Sequence, residues 1–188
     1  MPNWCFNQLT VTKSTPKLEM FLKEHGLSFE AIVKPNRPEN DERGFGTVNA
    51  QVDAWGTKWD LADDEKKEAG DCLLKGGVDF HTAWSPPSEA IRALSELTGA
   101  SFELAFYEPG EWFWGKESIN DGEISTDIDS GSESTKEELK DFLMQEMGYS
   151  PSDAHDEAGL NEDEEEEQVE RLKDEKRGLY PESFDIAN

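Results

Sequence analysis

The chain has 188 residues, room for one domain with an appendage or for two small domains, and enough to bury a core without metal or disulfide support. Its 18 basic and 43 acidic side chains leave a net charge of −25. That balance argues against direct binding to nucleic acid or to an anionic membrane, because both require a basic footprint. The longest apolar run, Leu104-Ala105-Phe106-Tyr107, is too short for a transmembrane helix or a signal-peptide core, so the expected setting is soluble and cytoplasmic.

In chain order, Asn3 to Lys13 (NWCFNQLTVTK) sets Leu9 and Val11 between Thr10 and Thr12, the period of a half-buried strand. Thr15-Pro16 then opens a helix, Leu18, Phe21 and Leu22 give it an apolar face, and Gly26 ends it. Ser28 to Val33 reads as a second extended stretch, stopped by Pro35 and Pro38. Residues 36–54 are polar and Gly-rich and read as a long loop. Trp55 to Asp60 reads as a strand start, and Asp63 to Asp71 as a solvated turn.

Cys72 to Trp84 alternates as a strand with Val78, Phe80 and Thr82 on one face, until Ser85-Pro86-Pro87 breaks it. Ser88 to Gly99 is an amphipathic helix with a stripe of Ala90, Ile91, Leu94 and Leu97. Phe102, Leu104 and Phe106 alternate in the next strand. Pro109-Gly110 turns the chain, Glu111 to Lys116 returns, and Glu123 to Ser125 adds a short strand. This order accommodates an α+β fold: a ferredoxin-like antiparallel sheet with helices on one face.

Residues 127–134 read as a Ser/Gly/Asp-rich linker. A capping box at Ser134 and Glu137 starts a helix with Leu139, Phe142, Leu143 and Met147 on one stripe. Ser152 to Gly159 is a second short helix. Glu162 to Arg177 is a third, with acids in front and Lys173, Lys176 and Arg177 behind, as the helix dipole prefers. The expected organisation is a ferredoxin-like domain over 1–126, a linker over 127–134 and an acidic helical appendage over 135–188. Residues 129–188 alone hold 20 acids against 6 bases.

Four ordered stretches carry a family resemblance: Met1-Pro2-Asn3-Trp4-Cys5-Phe6-Asn7, Trp55-Gly56-Thr57-Lys58-Trp59-Asp60, Thr82-Ala83-Trp84-Ser85-Pro86-Pro87, and Tyr107-Glu108-Pro109-Gly110 leading to Trp114-Gly115. Together they resemble the YubB-like proteins of phages and plasmids, which have a ferredoxin-like domain. The resemblance implies that fold and a mobile-element origin, and it carries over no catalytic residue. It covers residues 1–116 and leaves the acidic segment outside.

Metal and nucleotide motifs are incomplete. Gly110 to Glu117 approaches the phosphate-binding loop but ends in Glu where a hydroxyl is needed, and three aromatics crowd it, so a β-hairpin is the expectation. Asp127 to Glu138 matches a calcium loop at three positions but has Gly131 and Ser132 where a ligand and a turn glycine belong. Cys5 and Cys72 form no CxxC pair, and His25, His81 and His155 are scattered, so no zinc or other cofactor is expected.

The leading functional expectation is an acidic, non-enzymatic interaction protein of a phage or mobile element. Its partner would be a basic host protein, a nucleic-acid-acting or defence enzyme inhibited by charge mimicry. Glu162, Asp163, Glu164, Glu165, Glu166, Glu167, Glu170 and Asp174 would face that partner. The alternative is a ligand-binding or enzymatic pocket made by Trp55, Trp59, His81, Trp84 and Glu108. Asp60 and Asp79, near the ends of expected strands, are further acid/base candidates. A third reading is an assembly module that self-associates through its sheet.

Overall fold

The computed structural model describes residues 3–38, 44–130 and 134–160, and the acids from Glu162 to Asp174 lie outside that range. Two compact units divide the chain, Met1–Ser132 and Glu133–Asn188. The first is an α+β unit. Five strands make one antiparallel sheet: β1 (Trp4–Lys13), β2 (Gly77–Ala83), β3 (Ser101–Glu108), β4 (Phe113–Asn120) and β5 (Glu123–Asp129). Their spatial order is β2-β1-β3-β4-β5. β2 and β3 both run antiparallel to β1, so they are parallel to each other. The helix α5 (Ser88–Thr98) joins them, which gives a split β-α-β unit with β1 between its strands.

One face of this sheet carries the core. Cys5 and Leu9 of β1, Phe80 of β2, Phe102, Leu104 and Phe106 of β3 and Ile119 of β4 are its strand members. Helices α1 (Pro16–His25), α2 (Phe29–Ile32), α3 (Phe45–Trp55), α4 (Asp63–Leu73) and α5 add Leu18, Leu22, Phe29, Trp55, Leu73, Ile91 and Leu94, and the connections add Leu27, Leu61 and Ala100. As the sequence pattern implies, Thr15 caps α1 by accepting the Leu18 N–H at 3.1 Å, with Pro16 at the first turn.

Four stretches between residues 28 and 73 differ from the sequence reading. Residues 29–32 are helical rather than extended, because Ser28 and the distant Asp60 both accept N–H groups at the helix start. The expected loop over 36–54 contains α3, whose Val48, Val52 and Trp55 keep helical spacing among small and polar neighbours. The stretch from Trp55 is the end of that helix, stopped by Gly56 at φ 83°, and not a strand start. The charged stretch from Asp63 is the helix α4, with three acids in its first turn and only Ala69, Gly70 and Leu73 buried. Gly70 is needed there: a Cβ would stand 2.8 Å from the Cα of Gly26, where α4 crosses the end of α1.

In α5, Leu97 is half exposed, and Ser95 and Thr98 are buried in its place. Their hydroxyls donate to Ala100 O at 2.8 Å and to Leu94 O at 2.6 Å, which makes the burial affordable for polar groups. β5 continues to Asp129, into the stretch read as linker. In the second unit, α6 (Lys136–Gln145) has its capping box on Thr135 and Glu138, one residue later than the sequence suggests. It packs on α7 (Pro151–Glu157), and Lys136 Nζ donates to Gly159 O at 2.7 Å.

Candidate functional site

The alternation of β1 divides its side chains between two faces. Cys5, Asn7 and Leu9 point into the core, so Trp4, Phe6, Gln8 and Thr10 share the other face. On that second face the register sets His81, Phe6, Tyr107 and Trp114 in one row across four strands. Phe6 stacks on Tyr107 with centroids 4.6 Å apart and meets the edge of His81 at the same separation. Such cross-strand aromatic pairs fix register as well as adding contact area.

The four stretches behind the family resemblance meet at one end of the sheet. The Trp84 N–H donates to Asn3 O at 2.9 Å. The Thr57 hydroxyl donates to Ala83 O at 2.8 Å, and the Ser85 hydroxyl to Gly56 O at 2.5 Å. A Cβ on Gly56 would stand 2.8 Å from Pro86 O, so the two segments approach backbone to backbone. Asn3 also lies against Gly110, where a Cβ would clash with its side-chain amide. The clamp holds Trp84 at φ 79°, a conformation costly for a bulky residue.

Of the five residues expected to form a pocket, the structure brings only some together. Trp59 and Trp84 flank the Lys58 ammonium, which is 4.6 Å and 4.1 Å from their ring centroids. Both indoles are 42% exposed, and Trp4, 6.4 Å from Trp59, is 46% exposed. Trp55 is not part of this patch: it is 1% exposed in the core, its indole N–H donating to Val33 O at 2.9 Å. Glu108 is also committed elsewhere. Its buried carboxylate accepts the N–H groups of Gly110 and Glu111 and shapes the β3–β4 turn. That turn is a hairpin in place of the near-match to a phosphate loop. Trp4 and Phe6, absent from the expected pocket, are legible in the period-two pattern as the even-numbered residues that face away from Cys5 and Asn7.

His81 lines an open groove of about 1010 Å³ together with Trp4, Phe6, Asp79, Glu65 and Glu68. Asp60, an acid/base candidate by sequence, is instead a structural acceptor for Ser28, Phe29, Glu30 and Leu61. Burial pushes the Cys5 thiol far above its ordinary range, with Glu108 adding to the effect, so this cysteine stays protonated and unreactive. Among the described residues, no group of three or more His, Cys, Asp and Glu side chains converges as a metal site. Among them too, no helix is long and apolar enough to cross a membrane.

Glu117 sits on β4 with one carboxylate oxygen buried and unpartnered. Burial raises its pKa above the ordinary 4.5, against a hydrogen bond from Ser88 and with help from Glu89. The folded state therefore holds the proton more tightly than the unfolded chain. Stability falls as pH rises from the ordinary carboxylate value through the raised one, and the cost is complete above it. Glu117→Gln is expected to raise the urea midpoint at pH 7 slightly, since the partly exposed carboxylate is screened by solvent, and to flatten that midpoint across the window. A destabilised variant at pH 7 would contradict this account.

Fold and site define an α+β protein with a ferredoxin-like sheet whose helices cover one face. The chain belongs to the family described as the ferredoxin-like domain in Api92-like protein, whose model matches residues 54–176. That match takes in β2 to β5 and extends well into the acidic segment, which the YubB-like resemblance left outside. No curated protein and no solved structure gives a significant match to the chain.

Proposed function

We propose that this chain is an acidic, non-enzymatic interaction protein of a phage or related mobile element, akin to the YubB-like proteins, acting in the host cytoplasm. Its partner is a basic host protein, a nucleic-acid-acting or defence enzyme, whose nucleic-acid surface it occupies by presenting carboxylates in place of phosphates. The observation that carries this reading is the net charge of −25, more than half of it after residue 128. Glu162 to Glu167, Glu170 and Asp174 supply the densest charge. A ligand-binding pocket is the second reading, favoured by the convergence of Trp4, Trp59 and Trp84 at one end of the sheet.

The test is retention of host proteins on the immobilised whole chain at low and high salt, followed by elution with added DNA. The expected result is a basic protein that DNA elutes and that binds about tenfold more weakly when residues 162–167 are changed to Gln and Asn. Undiminished retention by that variant would refute the mimicry. If Trp84→Ala abolished retention while the neutralised variant kept it, the second reading would stand.

A further inference from the structure

The groove touches Gly77, Val78, Asp79, Phe80 and His81 in succession. Successive residues of a strand face opposite sides of a sheet, so a cavity lined by all five follows the strand's edge. β2 is an edge strand, with β1 as its neighbour on the inner side.

Its hydrogen-bonding direction follows from two bonds. The Trp84 N–H donates to Asn3 O, and the Val11 N–H donates to Gly76 O. Even-numbered residues of β2 therefore turn their backbone groups toward β1, and Gly77, Asp79, His81 and Ala83 turn theirs outward. Ala83 O is taken by Thr57 and Lys58. Among the described residues, the outward N–H and C=O groups of Gly77, Asp79 and His81 have no partner.

Edge strands are commonly blunted by lysine, proline or a bulge. β2 (GVDFHTA) has no lysine or proline and pairs with β1 in unbroken register. The helix α4 presents Glu65 and Glu68 to the same groove, and Asp79 lies on the strand itself. Among the described residues no lysine or arginine lines the groove, and Trp4 and Phe6 give it an aromatic wall. A second copy adding antiparallel about Asp79 would oppose acid to acid, in a molecule already at −25.

We infer that the free edge of β2 accepts an extended basic segment of a partner protein as a sixth strand, with its lysines or arginines on Glu65, Glu68 and Asp79. This rests on the proposed preference for a basic partner and names where and in what conformation that partner is held. The backbone pairs give the segment its direction, and alternate side chains fall on the carboxylates and on the aromatic wall.

The experiment uses the whole chain and a fluorescein-labelled peptide of alternating Lys and Val, read by fluorescence anisotropy. Two control peptides accompany it: one N-methylated at every second amide, and one with Glu in place of Lys. The expected result is binding of the Lys peptide, weakened about tenfold by N-methylation and about tenfold by the combined Glu65→Gln and Glu68→Gln change. Equal, salt-sensitive binding of the N-methylated peptide would overturn strand addition while leaving the preference for basic partners intact. Equal binding of the Glu peptide would overturn the basic occupant and would count against the acidic reading as well. No binding of the Lys peptide overturns the inference. So does a homodimer by sedimentation that Asp79→Lys disrupts, since the edge would then belong to a second copy.

Discussion

Trp55→Ala is expected to cost about 3–5 kcal/mol of folding stability, the largest effect of any single tryptophan change in this chain. Trp55 closes α3 at its last turn, 1% exposed, with its ring 6.2 Å from that of Phe29. Truncation removes the indole from a region where α2, α3 and the sheet all contribute core side chains. It also leaves Val33 O without the donor it now has at 2.9 Å. The neighbouring backbone is fixed by Gly56 against Pro86, so collapse around the void is restricted. Urea denaturation followed by circular dichroism measures the loss. Trp59→Ala is the control: with its ring 42% exposed, it is expected to cost less than about 1 kcal/mol. If the two variants were equally stable, the buried place of Trp55 in the core would be refuted, and the pocket role expected from the sequence would be open again.

The contrast between these two tryptophans, four residues apart, shows where local pattern stops being informative. β1, α1, α5 and β3 are legible because their apolar spacing and caps are contained within each segment: Thr15-Pro16 and Gly26 bound α1, and Phe102, Leu104 and Phe106 mark the core face of β3. The stretch from Ser28 to Leu73 is not legible that way. α4 buries little besides Ala69, Gly70 and Leu73, so its sequence looks like a solvated turn, and its helical state depends on packing beside Gly26. α2 is four residues long and takes two of its N-terminal acceptor contacts from Asp60.

The candidate site was legible only as separate fragments. Trp59, Trp84 and His81 are individually conspicuous, but their placement depends on the register of β2 against β1 and on the clamp between Gly56-Thr57 and Ala83-Ser85. Neither is written in any one segment. The register of β1 against β3 sets Glu108 near Cys5, and its carboxylate faces its own turn and not the tryptophans. The free edge of β2 is equally invisible beforehand, since a strand's sequence does not say whether it has one neighbour or two.

Asp60→Ala is expected to cost about 2–4 kcal/mol, although Asp60 stands in a connecting segment and a lost surface carboxylate ordinarily costs little. Its Oδ1 accepts the N–H of Phe29 at 2.8 Å and of Leu61 at 2.9 Å. Its Oδ2 accepts the Ser28 hydroxyl at 3.1 Å and the Glu30 N–H at 3.2 Å. Lys66 completes the shell at 3.2 Å, and both side chains are mostly buried. One carboxylate thus satisfies the start of α2, its own following residue and a cation of α4. Burial disfavours the Lys66 ammonium, but its bonds to Asp63 and Asp60 outweigh that and raise its pKa overall. Removing Asp60 strands the N–H groups of Phe29 and Glu30 and leaves Lys66 with only Asp63, which is almost wholly exposed. Asn keeps one acceptor oxygen, so Asp60→Asn should fall between the wild type and Ala, while Asp63→Ala should leave the urea midpoint close to that of the parent. The order Ala, Asn, wild type in rising stability identifies a hydrogen-bonding hub. A catalytic carboxylate would show the reverse pattern, with Asp60→Ala folding as stably as the parent, and that outcome would reopen the acid/base role the sequence suggested.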